Sequence, residues 1–168
     1  METNLVQRPV TGSTVLSLRP FSPKPRAAWT RTLPVATSAP EQARHETTWF
    51  LRRCRDANED LIQDAVLLVS ELVTNAYLAM SAYDALSGRG PGATVDFSLR
   101  LFDDHLLIEV IDTSSKVPVP DPPCDGCAES GRGLGIVEAL SDDWGFFFHT
   151  GRKVVYAILP VRHDARAS

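Results

Sequence analysis

The sequence is poor in several residue types and patterns, and each scarcity excludes a class of protein. Only three cysteines occur in 168 residues, an odd and small number that does not build a disulfide framework. No uninterrupted apolar run approaches the roughly 18 residues of a membrane-spanning helix. The first residues also lack the apolar segment of a secretory signal peptide. We therefore expect a cytoplasmic protein that does not act in a membrane.

The chain also lacks the excess of basic side chains that general nucleic-acid binding requires. Its formal net charge is -4 at pH 7, so we expect no direct binding to nucleic acid. The charge is uneven, because residues 1–40 carry about +4 and the remainder about -8. A basic start of this kind is most often a solvated tail, and the alternative is a docking segment for an acidic partner.

Length and composition indicate one globular domain between two tails. Hydrophobic residues make up 43% of the chain and charged residues 23%, which is ordinary for a folded domain of this length. Residues 1–26 are rich in proline, serine, threonine and arginine and have little periodicity. This predicts a disordered or loosely attached basic tail. The predicted domain covers residues 27–161, and residues 162–168 form the second tail.

Hydrophobic periodicity predicts a strand and two helices in the first half of the domain. A first strand at Ala27–Val35 lies near a sheet edge because it contains a proline. Ser38 is predicted to cap the first helix, with Glu41 completing a capping box. A long helix, apolar almost all round, is predicted from Leu61 to about Met80, with Asp60 as its cap. The inward residues predicted for the first helix are Ala43, Trp49, Phe50 and Cys54.

Two hairpins and a short helix are predicted in the second half. Residues 94–101 and 106–111 alternate by twos, and residues 144–149 and 153–159 form a final hairpin. Between the hairpins lie a long irregular segment, residues 114–130, and a short helix. Helices segregated from strands in this way predict an α+β two-layer sandwich, with helices on a mostly antiparallel mixed sheet.

Polar side chains and glycines at three places indicate a ligand site. Glu71 and Asn75 lie four residues apart on one face of the long apolar helix. A buried carboxylate or amide without a partner costs several kcal/mol, so other side chains or a ligand must satisfy them. Asp112 stands where a strand ends, and Gly131-Arg132-Gly133-Leu134-Gly135 opens the short helix. Glycines at a helix start allow a phosphate to approach the backbone, although this segment is neither a P-loop nor the dinucleotide fingerprint.

Three segments resemble, in the same order, sequence boxes of the histidine kinase-like ATPase superfamily, which includes gyrase B and the Hsp90 chaperone. They are Leu67–Ala76, Val110–Ser114 and Gly131–Val137. The closer resemblance, over roughly residues 27–160, is to anti-sigma-factor serine/threonine kinases of the actinobacterial type. Ser114 stands where glycine is common in that branch. The fold that this resemblance implies is the Bergerat-type ATP-binding fold.

The resemblance implies a role for each polar residue of the three segments. Asn75 would hold the Mg²⁺ that bridges the nucleotide phosphates, and Glu71 would be the general base for an acceptor hydroxyl or a water. Asp112 would accept a hydrogen bond from the adenine amino group. Residues 116–130 would form a lid. The phosphates would lie along Gly131, Gly133, Leu134 and Gly135.

The implied function is that of a regulatory serine/threonine kinase that uses ATP and Mg²⁺. It would phosphorylate a small antagonist protein, and a sigma factor and a second copy of the chain are further expected partners. The alternative is an ATP-binding interaction module without useful kinase activity that switches partners with nucleotide state. A more distant alternative is a redox-sensing adaptor that works through Cys124 and Cys127. These two cysteines are not expected to form a structural zinc site, because such a site would need a second pair of ligands.

Overall fold

The computed structural model describes residues 24–87, 92–118 and 132–162, and for residues 83–87 and 132 it describes the backbone alone. These ranges contain a five-stranded sheet and three helices. The order of elements confirms the predicted α+β class and the predicted succession of strands and helices. The elements are β1 (Ala27–Pro34), α1 (Ala39–Leu51), α2 (Glu59–Ser87), β2 (Thr94–Leu101), β3 (His105–Asp112), α3 (Arg132–Leu140), β4 (Asp143–His149) and β5 (Arg152–Pro160).

The strands lie in the order β1-β2-β3-β5-β4, and β5, the last in the sequence, pairs with both β3 and β4. Every described pair is antiparallel, so the expectation of a mixed sheet is wrong for this part of the chain. The two helices between β1 and β2 return the chain to the end of the sheet where β1 finishes. Pro34, the last residue of β1, therefore lies opposite Thr94, the first residue of β2.

The three helices cover one face of the sheet, and the core lies between the two layers. Alternate residues of β2 and β3 point into this core, as expected for half-buried strands. The opposite face carries ion pairs, with Arg152 2.6 Å from Asp96 and Arg100 2.7 Å from Glu109. The largest fully buried side chains include Phe97, Leu51, Leu68, Leu99, Leu101, Leu106, Ile108 and Leu159.

Helix α2 is the centre of the core. By length and composition alone, its Glu59–Ala82 part would be able to cross a membrane. In the fold it packs instead against α1, α3 and three of the strands, and a core helix passes the same test. The helix contains no uninterrupted apolar run of membrane-spanning length, because Ser70 and Glu71 lie within its apolar sequence.

The predicted helix caps are wrong in detail. Ser38 precedes α1 with helical backbone angles (φ -81°, ψ -10°) and its side chain makes no capping bond. The Ser38 hydroxyl instead accepts a hydrogen bond from Gln42 Nε2 at 3.3 Å. Helix α2 begins before the predicted position, because Asn58 Oδ1 accepts the Leu61 N–H at 2.9 Å. Asp60 therefore lies within the first turn rather than at the cap.

Trp49 was predicted to lie on or near the inner face of the first helix, and the residue is 43% exposed. The buried stripe of α1 includes Ala43 and Phe50 and leaves Trp49 at its edge. There the Trp49 ring lies against Trp29 of β1, with 4.8 Å between ring centroids, and beneath the Arg53 guanidinium at 3.9 Å. The large ring thus covers the outer seam between α1 and the edge strand.

Candidate active site

Helices α2 and α3 bring Glu71 and Gly133 together. A Cβ placed on Gly133 would lie 2.5 Å from Glu71 Oε2, so the absence of a side chain lets the carboxylate lie against the start of α3. The glycine segment was predicted to open the short helix, and the described part of it does so. Because α3 begins at Arg132, Gly133, Leu134 and Gly135 lie inside its first turn. Gly131 lies outside the described residues.

The start of α3 has the properties of an anion site. The first N–H groups of a helix have no partner within it, and the helix dipole adds positive character there. Gly135 is exposed, and a Cβ on it would meet nothing within 4 Å. Leu134 is 7% exposed and anchors this turn in the core. The turn therefore combines a fixed position with N–H donors that have no partner within the helix and with open space beside Gly135.

Asn75 lies one turn beyond Glu71 on α2. Its Nδ2 atom is buried and has no hydrogen-bond partner. Glu71 is partly buried, and within the described ranges no hydrogen bond or ion pair holds its carboxylate. The two side chains are therefore placed on a packed helix while their polar atoms remain uncommitted.

Asp112 is the last residue of β3 and is fully buried. The Ser114 N–H donates to its Oδ1 at 2.7 Å. Its Oδ2 lies 3.2 Å from Lys153 Nζ, an ion-pair contact that is not aligned as a hydrogen bond. One oxygen of the carboxylate is thus occupied, and the other is available as an acceptor.

Unpartnered buried polar atoms coincide with the predicted site. Among the described residues, such side-chain atoms are Trp29 Nε1, Asn75 Nδ2 and Asp112 Oδ2. Each unsatisfied group costs about 1–3 kcal/mol, and native structures keep few of them. Two of the three belong to residues that the sequence assigns to one ligand, and α2 packs against β3, which carries Asp112. A bound ligand with polar groups would satisfy both.

Lys153 belongs to the same site and was not among the predicted residues. It lies opposite Asp112 on β5 and is 4% exposed. Its Nζ donates to Ser114 Oγ at 2.6 Å and to the Lys116 carbonyl at 2.8 Å. Burial lowers the pKa of Lys153, and the nearby Asp112 carboxylate opposes this effect. The alternation of β5 contained a signal, because Lys153 has the same inward phase as Val155.

An exposed aromatic ring lies beside Lys153 on the neighbouring strand β4. Phe148 of β4 lies opposite Lys153 and is 42% exposed. Its ring contacts Phe146 edge-on, with 6.2 Å between centroids. An anion, a cation and an aromatic ring therefore follow one another across β3, β5 and β4 on the face that the helices cover.

The donor set fits magnesium better than a metal held by protein alone. Within residues 24–87, 92–118 and 132–162, no three His, Cys, Asp or Glu side chains form a metal-binding group. Mg²⁺ keeps several waters and needs only one or two protein oxygens beside substrate phosphates. The side-chain oxygen of Asn75 is a ligand of that kind, and the unpartnered Nδ2 of the same amide is a donor that a phosphate oxygen would satisfy. Cys124 and Cys127, the basis of the redox alternative, lie outside the described residues.

Fold and site together define the class as an α+β domain built to bind a nucleotide. The family model of the histidine kinase-like ATPase domain matches residues 33–158, which is more than half of the chain. The chain therefore belongs to the histidine kinase-like ATPase domain family, and the nucleotide that it binds is ATP. None of the curated proteins compared with the chain matches it. The superfamily and the fold class inferred from the sequence are confirmed.

Proposed function

We propose that the chain is a regulatory serine/threonine protein kinase that transfers the terminal phosphoryl group of ATP to a small antagonist protein. The unpartnered buried atoms of Asn75 and Asp112 carry this proposal. They lie on two packed elements, and the uncommitted carboxylate of Glu71 lies against the start of α3. Membership in the ATPase family supplies the nucleotide.

Nucleotide binding would involve two parts of the site, Asp112 for the base and the first turn of α3 for the phosphates. Asp112 Oδ2 would accept a hydrogen bond from the adenine amino group, because Ser114 already occupies Oδ1. The first-turn N–H groups of α3 would hold the phosphates, with positive character from the helix dipole. The residues that would line the phosphates are Gly131, Gly133, Leu134 and Gly135.

The chemical step rests on Asn75 and Glu71. Asn75 would hold Mg²⁺, which when bound neutralises phosphate charge and favours phosphoryl transfer. Glu71 would accept the proton of the serine or threonine hydroxyl that attacks the phosphorus. Its contact with Gly133 supports this role, because the carboxylate lies beside the turn assigned to the phosphates.

A second candidate is an ATP-binding interaction module that switches partners with nucleotide state and has no useful kinase activity. Leu67 and Leu78 are 41% and 52% exposed and lie on the same outward face of α2 as Glu71. Two exposed leucines near the site favour a protein partner under both candidates. The partners that we propose are the small antagonist protein, a sigma factor and a second copy of the chain.

Variants of α2 separate the two candidates. We expect Glu71→Gln to lower phosphotransfer by about 10²- to 10⁴-fold, the usual contribution of a general base, with little change in ATP affinity. We expect Asn75→Ala to weaken Mg-ATP binding itself. Asp64→Asn is the matched control, because it removes a carboxylate from the same helix two turns earlier.

The assays are titration calorimetry for ATP and a phosphorylation assay with a partner recovered by pull-down and mass spectrometry. A phosphoserine or phosphothreonine on the partner, lost in Glu71→Gln and kept in Asp64→Asn, supports the kinase. Nucleotide-dependent partner binding without a phosphoprotein supports the interaction module. If neither ATP nor ADP binds the wild-type chain, both candidates fail.

A further inference from the structure

Lys153 and Asp112 form a buried ion pair at the end of the sheet where the base would lie. The two residues are cross-strand neighbours, 4% and 0% exposed, with 3.2 Å between Nζ and Oδ2. A buried carboxylate without its counter-charge is strongly unfavourable, and Lys153 supplies that charge to Asp112 inside the core. An ionised carboxylate only accepts hydrogen bonds.

The ion pair also fixes the direction of the carboxylate. Lys153 donates to Ser114 Oγ, and the Ser114 N–H donates to Asp112 Oδ1, which closes a ring of three residues. The Lys116 carbonyl accepts a second hydrogen bond from Lys153 Nζ. This ring holds the chain from the end of β3 to residue 116 and leaves Asp112 Oδ2, in ion-pair contact with Lys153, without a hydrogen bond.

Two of the three N–H donors of the Lys153 ammonium group bond Ser114 Oγ and the Lys116 carbonyl. The group also faces Asp112 Oδ2 as an ion-pair contact, and that oxygen keeps lone pairs that a ligand can use. The pair therefore presents an acceptor to a ligand and no free donor. Such a site matches a purine that carries an amino group at position 6 and disfavours a purine that carries a carbonyl there.

We propose that Lys153 is a positioning residue that holds Asp112 for recognition of the 6-amino group of the nucleotide base. The inference rests on the proposed function, because it assigns the base end of the same site. Lys153 itself does not touch the base in this arrangement. Its effect is on the preference of the Asp112 carboxylate for a base that carries a 6-amino group.

The test compares ATP with purine riboside triphosphate, which lacks only the 6-amino group. Titration calorimetry on the full chain should show that the wild type binds ATP at least about 10-fold more tightly, as expected for a hydrogen bond to a charged acceptor. Lys153→Met should bring the ratio of the two dissociation constants close to one, mostly by weakening ATP. Lys116→Met is the matched control, because that exposed residue contributes only its carbonyl.

Folding of each variant is checked by circular dichroism. If Lys153→Met does not fold, Ser114→Ala replaces it, because it removes one acceptor of Lys153 and should lower the ratio at least about twofold. Equal weakening of both nucleotides by Lys153→Met, or an unchanged ratio in Ser114→Ala, overturns the assignment of Lys153. Absence of ATP binding in the wild type would instead refute the proposed function, so the two failures are distinguishable.

Discussion

At the scale of single residues, the contact between Gly133 and Glu71 makes a sharp prediction. A methyl group on Gly133 would fall 2.5 Å from Glu71 Oε2, the far end of a flexible side chain. We expect Gly133→Ala to displace the carboxylate and to lower phosphotransfer at least about 10-fold. The free energy of unfolding should change by less than about 1 kcal/mol, because alanine favours the helix. Enzyme assays and denaturant titration measure the two effects.

Two controls test whether displacement of the Glu71 carboxylate causes the expected loss of phosphotransfer. Gly135→Ala adds the same methyl group in the same turn, where nothing lies within 4 Å, so it should not move Glu71 or destabilise the fold. In a Glu71→Ala background, Gly133→Ala has no carboxylate to displace and should cause no further loss of activity. A full additional loss in that background would show that the methyl group acts on something other than Glu71.

Local sequence patterns were sufficient to select some site residues and could not reveal others. Glu71 and Asn75 stand out because their four-residue spacing places two polar groups on one face of an apolar helix. The alternation of β5 gives Lys153 an inward phase, but its contact with Asp112 and Ser114 depends on pairing between β3 and β5, strands separated by the third helix and the β4 strand. No pattern within a short window contains that pairing.

At the scale of elements, periodicity predicted which helices and strands exist and was less able to predict where they begin. β2 spans the predicted residues, whereas α2 begins earlier and ends later than predicted. Helix ends depend on one hydrogen bond from a capping side chain, and several polar residues near a helix start can provide it. At the start of α2 the predicted cap was Asp60, whereas the bond is made by Asn58, whose side-chain oxygen accepts the Leu61 N–H.

Alanine substitutions at the two helix starts should therefore change the free energy of unfolding by different amounts. Asn58→Ala removes a capping bond of 2.9 Å to the Leu61 N–H and should lower the free energy of unfolding by about 1 kcal/mol. Ser38→Ala removes a hydroxyl that makes no capping bond, so its effect should stay within about 0.5 kcal/mol. Urea titrations of both variants provide the comparison. A larger loss in Ser38→Ala than in Asn58→Ala would contradict the assignment of the caps.

At the scale of the whole molecule, the α+β class followed from the order of elements, but the strand order did not. The insertion of β5 between β3 and β4 is a long-range arrangement that residue periodicity does not encode. Resemblance to a known family supplied the expected architecture, and the match over residues 33–158 confirms that family. The described strand pairs are all antiparallel: β2–β3 and β4–β5 are hairpins, β1 and β2 are joined through two helices, and β5 lies between β3 and β4, which run in the same direction.

Nucleotide binding should stabilise the whole fold, because the site draws on α2, α3 and β3. A ligand at 100 times its dissociation constant adds about 2.7 kcal/mol to the free energy of unfolding. For a domain of this size that corresponds to a rise of several degrees in Tm. Thermal denaturation with Mg-ATP should show this rise in the wild type and a much smaller one in Asn75→Ala at the same concentration. An equal rise in both proteins would refute the placement of the metal at Asn75.

The interior position of β5 has a consequence for how the chain is made. A ribosome releases the chain from its first residue, so β1 to β4 emerge before the strand that joins β3 to β4. Until residues 152–160 appear, β3 has an unpaired edge, and such edges promote pairing with other chains. A product that stops before Arg152 would lack an inner strand of the sheet rather than a peripheral one. Incomplete synthesis should therefore yield a chain that quality-control proteases remove, and not a partly active domain.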